Sequence, residues 1–126
     1  MPATEVPRAL RTWFVVHFVA DVLFALPLFF TPRAFLHAFG WAPVDPAMTR
    51  LVAAALVGIG VESWLGRGAP IASFRTMLRI KCIWSGVATV GLVWSAVDGG
   101  PAATWLFVAI FAGFHGVWQY WRRRLG

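Results

Sequence analysis

The stretch VVHFVADVLFALP, Val15 to Pro27, decides how this chain is read. It has the look of the middle of an apolar helix, yet it carries His17 and Asp21, four residues apart and therefore on one helical face. An ionised carboxylate at mid-membrane costs about 2.5–3.5 kcal/mol on insertion scales. It persists when it is protonated or paired with a cation such as Lys81 or a charged histidine, so Asp21 is expected to face inward.

The rest of the chain says which solvent surrounds that helix. Of its 126 residues, 60% are hydrophobic and only 13% charged, and the mean hydropathy is +0.72. A soluble domain carries about 25% charged residues, and half of that leaves too little polar surface to cover a globule. The remaining solvent is a bilayer, and the length fits one small transmembrane domain, residues 1–126. The net charge of +6 comes from basic residues lying mostly between apolar runs. It therefore points to topology and anionic headgroups as partners rather than to nucleic acid. Cys82 stands alone, which excludes an intrachain disulfide and a cysteine-based zinc framework.

Four stretches approach the ~20 apolar residues that a crossing helix needs: about 12–30, 47–65, 76–97 and 102–121. Breaker clusters separate them, TPR at Thr31–Arg33, PVDP at Pro43–Pro46, GRGAP at Gly66–Pro70 and DGGP at Asp98–Pro101. Asp45 followed by Pro46 supplies an N-cap and a proline at the first helical position of the second span. Within the longest connection, Thr31 is placed to cap, Pro32 to open and Gly40 to close a two-turn helix over PRAFLHAF. Arg33 and His37 share its polar side while Phe35, Leu36 and Phe39 point away, as in an interfacial helix lying on a membrane. The expected fold class is all-α, an integral membrane four-helix bundle with a short interfacial helix between spans one and two.

Charge gives the orientation. Arg8, Arg11, Arg67, Arg75, Arg79, Lys81 and Arg122 to Arg124 collect on one side, and only Arg33 and Arg50 on the other. The positive-inside rule then places both termini in the cytoplasm of a bacterial inner membrane, multi-pass. Tryptophans agree, with Trp13, Trp64, Trp118 and Trp121 near the inner boundary and Trp41, Trp94 and Trp105 near the outer one. The first span has a basic start but is interrupted by His17 and Asp21 and has no A-x-A site after it, so it is read as a span and not a cleaved signal.

At 1.5 Å rise per residue, Glu62 lies roughly 5 Å inside the cytoplasmic boundary, Lys81 and His17 roughly 8 Å, His115 roughly 9 Å and Asp21 roughly 14 Å. These five residues, His17, Asp21, Glu62, Lys81 and His115, are the candidate ligand- or proton-binding groups, and the competing reading is that they only hold helices together. Lys81, Ser85 and Thr89 form one polar stripe, with Arg75 and Arg79 on the other side and expected to reach headgroups. Glu62 shares a face with Ala55, Gly58 and Gly66, which predicts that this face is packed. His115 shares a face with Gln119.

No serine sits in a G-x-S-x-G elbow and no phosphate loop follows a strand, so no catalytic residue and no metal ligand is assigned. Haem held by His17 and His115 is an option, but no cofactor is required. Two resemblances bear on function. One carboxylate in the first of four spans, with IWSGVATVGL (Ile83–Leu92) in the third, resembles small multidrug-resistance transporters, in which the span-one acid binds protons and cationic substrate by turns. That role would fall on Asp21, although the family uses Glu there. The order of a first span ending in Pro, a P-x-x-F-L-x-x-F-G-W hairpin, then TRLVAAALVGIGVESWLGR (Thr49–Arg67) and two further spans is similar to small bacterial four-helix proteins of the DoxX-like kind. That resemblance implies a fold and a membrane location, with links to quinone- and redox-associated complexes. Together the expectations describe a non-catalytic membrane protein binding a lipid-like small molecule or a partner membrane subunit, alone or as a homodimer. The alternative is a proton-coupled carrier.

Overall fold

A computed structural model describes residues 4–126, and these are helical with short connections. Five α-helices follow in order: α1 (Arg8–Phe30), α2 (Pro32–Ala38), α3 (Pro46–Leu65), α4 (Ile71–Val97) and α5 (Thr104–Leu125), with a 3-10 turn at Gly66–Gly68 after α3. Three segments are long and apolar enough to cross a membrane: α1, α3 with its following turn, and α4. α5 coincides with the fourth expected span but is more amphipathic and ends in Arg122, Arg123 and Arg124.

The breakers act where the sequence put them. Asp45 accepts hydrogen bonds from the amides of Ala47 (2.8 Å) and Met48 (3.2 Å), so the first turn of α3 is capped as expected. Thr31 does something else. Its hydroxyl donates back to the Pro27 carbonyl (3.1 Å) and closes α1 instead of capping α2. Gly40 (φ +99°) and Gly99 (φ +93°) take left-handed backbone at the ends of α2 and α4, where a side chain would be strained. α4 begins at Ile71, earlier than the apolar run suggested, because Pro70 opens a helix whose first turn is amphipathic.

The chain divides into two compact units. In the first, Pro7–Gly68, α1 and α3 run antiparallel, with α2 against both. The buried residues of α1 are Leu10, Phe14, His17, Asp21, Ala25 and Leu28, and those of α3 are Thr49, Ala53, Leu56, Gly60 and Ser63. Both sets are spaced by steps of three and four, the seam of a tightly packed antiparallel pair. Each end of the seam is tied by an arginine. Arg50 donates to the Phe29 carbonyl at the C-terminal end of α1 (3.0 Å), and Arg11 donates to the Arg67 carbonyl after α3. The last carbonyls of a helix lack partners inside it and carry partial negative charge, which a guanidinium satisfies.

In the second unit, Ala69–Gly126 together with residues 4–6 of the described chain, α4 and α5 form another antiparallel pair. Phe74, Met77, Leu78, Lys81, Cys82 and Ser85 are buried on α4, and Thr104, Trp118 and Leu125 on α5. Arg75, expected among headgroups, instead places Nε and Nη2 3.1 and 3.0 Å from the Leu125 carbonyl and closes the end of α5. Arg79 is exposed, as expected. Outward on α4 stand Ile80, Ile83, Val87, Val90, Trp94 and Val97. An apolar outer surface around seams that mix apolar residues with buried polar ones suits an apolar solvent.

Helix approach in the first unit depends on Gly60. A β-carbon added there would lie 2.7 Å from the Asp21 β-carbon, whereas one added at Gly58 meets nothing within 4 Å. Gly60→Ala is therefore expected to destabilise the protein by about 1–3 kcal/mol through overpacking, and Gly58→Ala to leave it unchanged or slightly more stable. Thermal unfolding of the two variants in detergent checks this pair of outcomes.

Candidate functional site

In the first unit the site is built on the α1 face that carries His17 and Asp21. Both are buried, at 4% and 6% exposure. His17 Nε2 lies 3.5 Å from Asp21 Oδ1, and its Nδ1 lies 3.4 Å from Ser63 Oγ on α3. Ser63 in turn donates its hydroxyl hydrogen to the Ile59 carbonyl one turn earlier in its own helix, at 2.7 Å. A hydroxyl has one hydrogen, so the lone pairs of Ser63 Oγ face His17, and Nδ1 must carry the hydrogen between them. The other ring nitrogen then faces a carboxylate oxygen. Two lone pairs would repel there, so the contact is favoured by a proton on the ring or on the acid.

The second unit repeats the device with a different end group. Ser85 donates to the Lys81 carbonyl of its own helix at 2.7 Å, and its oxygen lies 2.9 Å from His115 Nδ1. By the same accounting His115 Nδ1–H donates to Ser85. The Gln119 amide lies 3.3 Å from His115 Nε2, to which its N–H donates. An amide supplies its own hydrogen, so His115 is complete as a neutral ring, with the tautomer assigned from the network. Gly86 makes room for it, since a β-carbon there would come within 3.1 Å of His115 Cε1. The remaining cation, Lys81, is 3% exposed and sits with Nζ 5.0 Å from the centroid of the fully buried Trp118 ring. A desolvated cation–π contact of this kind contributes about 2 kcal/mol. Trp118, placed by its sequence position at a headgroup boundary, is thus an interior residue.

Of the five candidates, the structure joins His17 to Asp21 within one unit, and sets Lys81 and His115 on the seam of the other. Glu62 is not on a seam. It is exposed on α3, as is Gly58, and the expectation that this face is packed is corrected. The physical reason lies one residue on: Gly60 and Ser63 are the α3 residues that Asp21 and His17 require, and their face turns Glu62 outward. A second carboxylate beside Asp21 would also be repelled. The sequence does not mark Ser63 as a partner of His17, because a lone serine in an apolar run carries no positional signal. Ser85 was visible as part of the Lys81 stripe, but its pairing with His115 was not. Among the described residues no three His, Cys, Asp or Glu side chains are grouped so as to hold a metal ion.

No family model matches the chain, and no curated protein or solved structure shows significant similarity to it.

The tautomers are directly observable. With ¹⁵N-labelled histidine in micelles, His115 is expected to give the pattern of a neutral ring protonated at Nδ1. Ser85→Ala should abolish that preference and cost about 0.6–1.7 kcal/mol, the range for hydrogen bonds between membrane helices.

Proposed function

We propose that the chain is a four-span bacterial inner-membrane protein with both termini cytoplasmic and α2 lying along the outer interface. It acts by binding, without covalent chemistry, a lipid-like small molecule or a partner membrane subunit that engages its buried polar side chains. Support for a fourth span comes from the length of α5, 22 residues, which at 1.5 Å per residue gives about 33 Å and matches a bilayer core of about 30 Å. Support for the orientation remains the bias of Lys and Arg toward one side.

One observation carries the functional reading: the buried contact between His17 and Asp21, backed by Ser63, which is favoured when the pair holds a proton. Ionisable groups inside a membrane are costly and are kept where ligands, ions or partners are engaged. Haem has less support, because both ring nitrogens of His17 and of His115 already face side-chain partners. The same proton favours a second reading, a proton-coupled carrier in which Asp21 is the coupling acid.

Native mass spectrometry of protein released from lipid nanodiscs tests the first reading, with wild type beside Asp21→Asn. A defined small mass or a co-purifying subunit is expected on wild type and not on the variant. An empty wild type of unchanged mass would reduce the pair to a helix-to-helix contact. In proteoliposomes, substrate-dependent proton flux lost in Asp21→Asn would transfer the assignment to the carrier.

A further inference from the structure

The three consecutive arginines at the end of α5 do not share one task. Arg122 turns toward α4, where it hydrogen-bonds the Cys82 thiol. The C-terminal carbonyl of α5 at Leu125, which a basic residue in the last turn could otherwise cover, is already taken by Arg75. Arg123 and Arg124, exposed like Arg122, follow it around the helix. There they line an open groove of about 520 Å³ with Gly116, Gln119 and Tyr120.

The groove has a polar and an apolar end. Arg124 lies over the Tyr120 ring, 5.3 Å from its centroid, which holds the guanidinium along the helix beside Arg123. Gly116, one turn up, carries no side chain, and a β-carbon there would meet nothing within 4 Å. The volume falls in the range of small-molecule sites, about 300–1,000 Å³. Across α4, α5 and the segment joining them the acidic residue is Asp98, which precedes α5 and which the helix length sets roughly 30 Å from the arginines.

We infer that this groove is a binding site for an anionic phospholipid. The phosphate is held between Arg123 and Arg124, with the Tyr120 hydroxyl and the Gln119 amide as further donors, and the acyl chain runs past Gly116. Two adjacent guanidiniums on a helix that carries no carboxylate of its own match a phosphodiester in charge and in bidentate geometry. Placing this site in a headgroup layer rests on α5 crossing the membrane, as proposed above.

The test is made in neutral detergent micelles, so that its failure is distinct from a failure of the topology. Topology is read separately from a reporter fused after Gly126. Phosphatidylglycerol is titrated against wild type, R123Q/R124Q and R8Q/R79Q, and bound lipid is counted by native mass spectrometry. Wild type is expected to prefer phosphatidylglycerol to phosphatidylcholine. R123Q/R124Q should bind it roughly 30-fold more weakly, the effect of about 1 kcal/mol from each arginine. R8Q/R79Q, which removes two exposed arginines elsewhere, should bind like wild type. Unchanged binding by R123Q/R124Q, or equal weakening by R8Q/R79Q, would overturn the site in favour of none or of diffuse charge. Equal competition by glycerol 3-phosphate would overturn the lipid as its occupant.

Discussion

The β-carbon of Asp21 rests against the backbone of Gly60, and the geometry of the first unit follows from that approach. A larger residue at position 60 would push α1 and α3 apart. Once the helices touch there, antiparallel register brings His17, one turn away, to Ser63, one turn away on the other side. It also brings Arg50 to the end of α1 and Arg11 to the turn after α3. A close contact between a carboxylate-bearing residue and a glycine thus sets which polar groups meet.

What those groups can do is limited by the supply of hydrogens. Where a seam is buried, an unfilled hydrogen bond is costly, so what each serine does with its one hydrogen constrains the histidine beside it. Ser63 and Ser85 both give their single hydrogen to a carbonyl of their own helix. Each can then only accept, and each histidine is obliged to donate from Nδ1. The histidines differ in what the second nitrogen meets. An amide leaves His115 neutral and complete, while a carboxylate leaves the His17 pair in need of a proton. Two similar constructions therefore differ in whether the partner of the second ring nitrogen brings a hydrogen of its own.

Much of this was legible in the sequence and some was not, for physical reasons. The helices were visible because long apolar runs end at Pro and Gly clusters, and Asp45–Pro46 could be assigned to the start of α3 from side-chain chemistry alone. Asp21 and Lys81 could be turned inward because lipid penalises charge. Glu62 could not be placed by the same rule. Its neighbours at four-residue spacing, Ala55, Gly58 and Gly66, look suited to packing, but which small-residue face is used depends on the partner helix. Interhelical register decides that, and a one-residue shift in face separates Glu62 from Ser63. Register likewise hid the assignment of Arg75 to the Leu125 carbonyl and the division of labour among Arg122, Arg123 and Arg124.

The arginines that tie helix ends also bear on how the chain is made. Arg50 and Arg11 close the first unit using carbonyls of that unit alone, and Arg75 does the same for the second. During synthesis, which delivers the N-terminal part first, α1 and α3 can pair and satisfy their ends while α4 is still in the ribosome. The Gly66–Pro70 segment then falls at a natural pause in assembly, between one finished helical pair and the next.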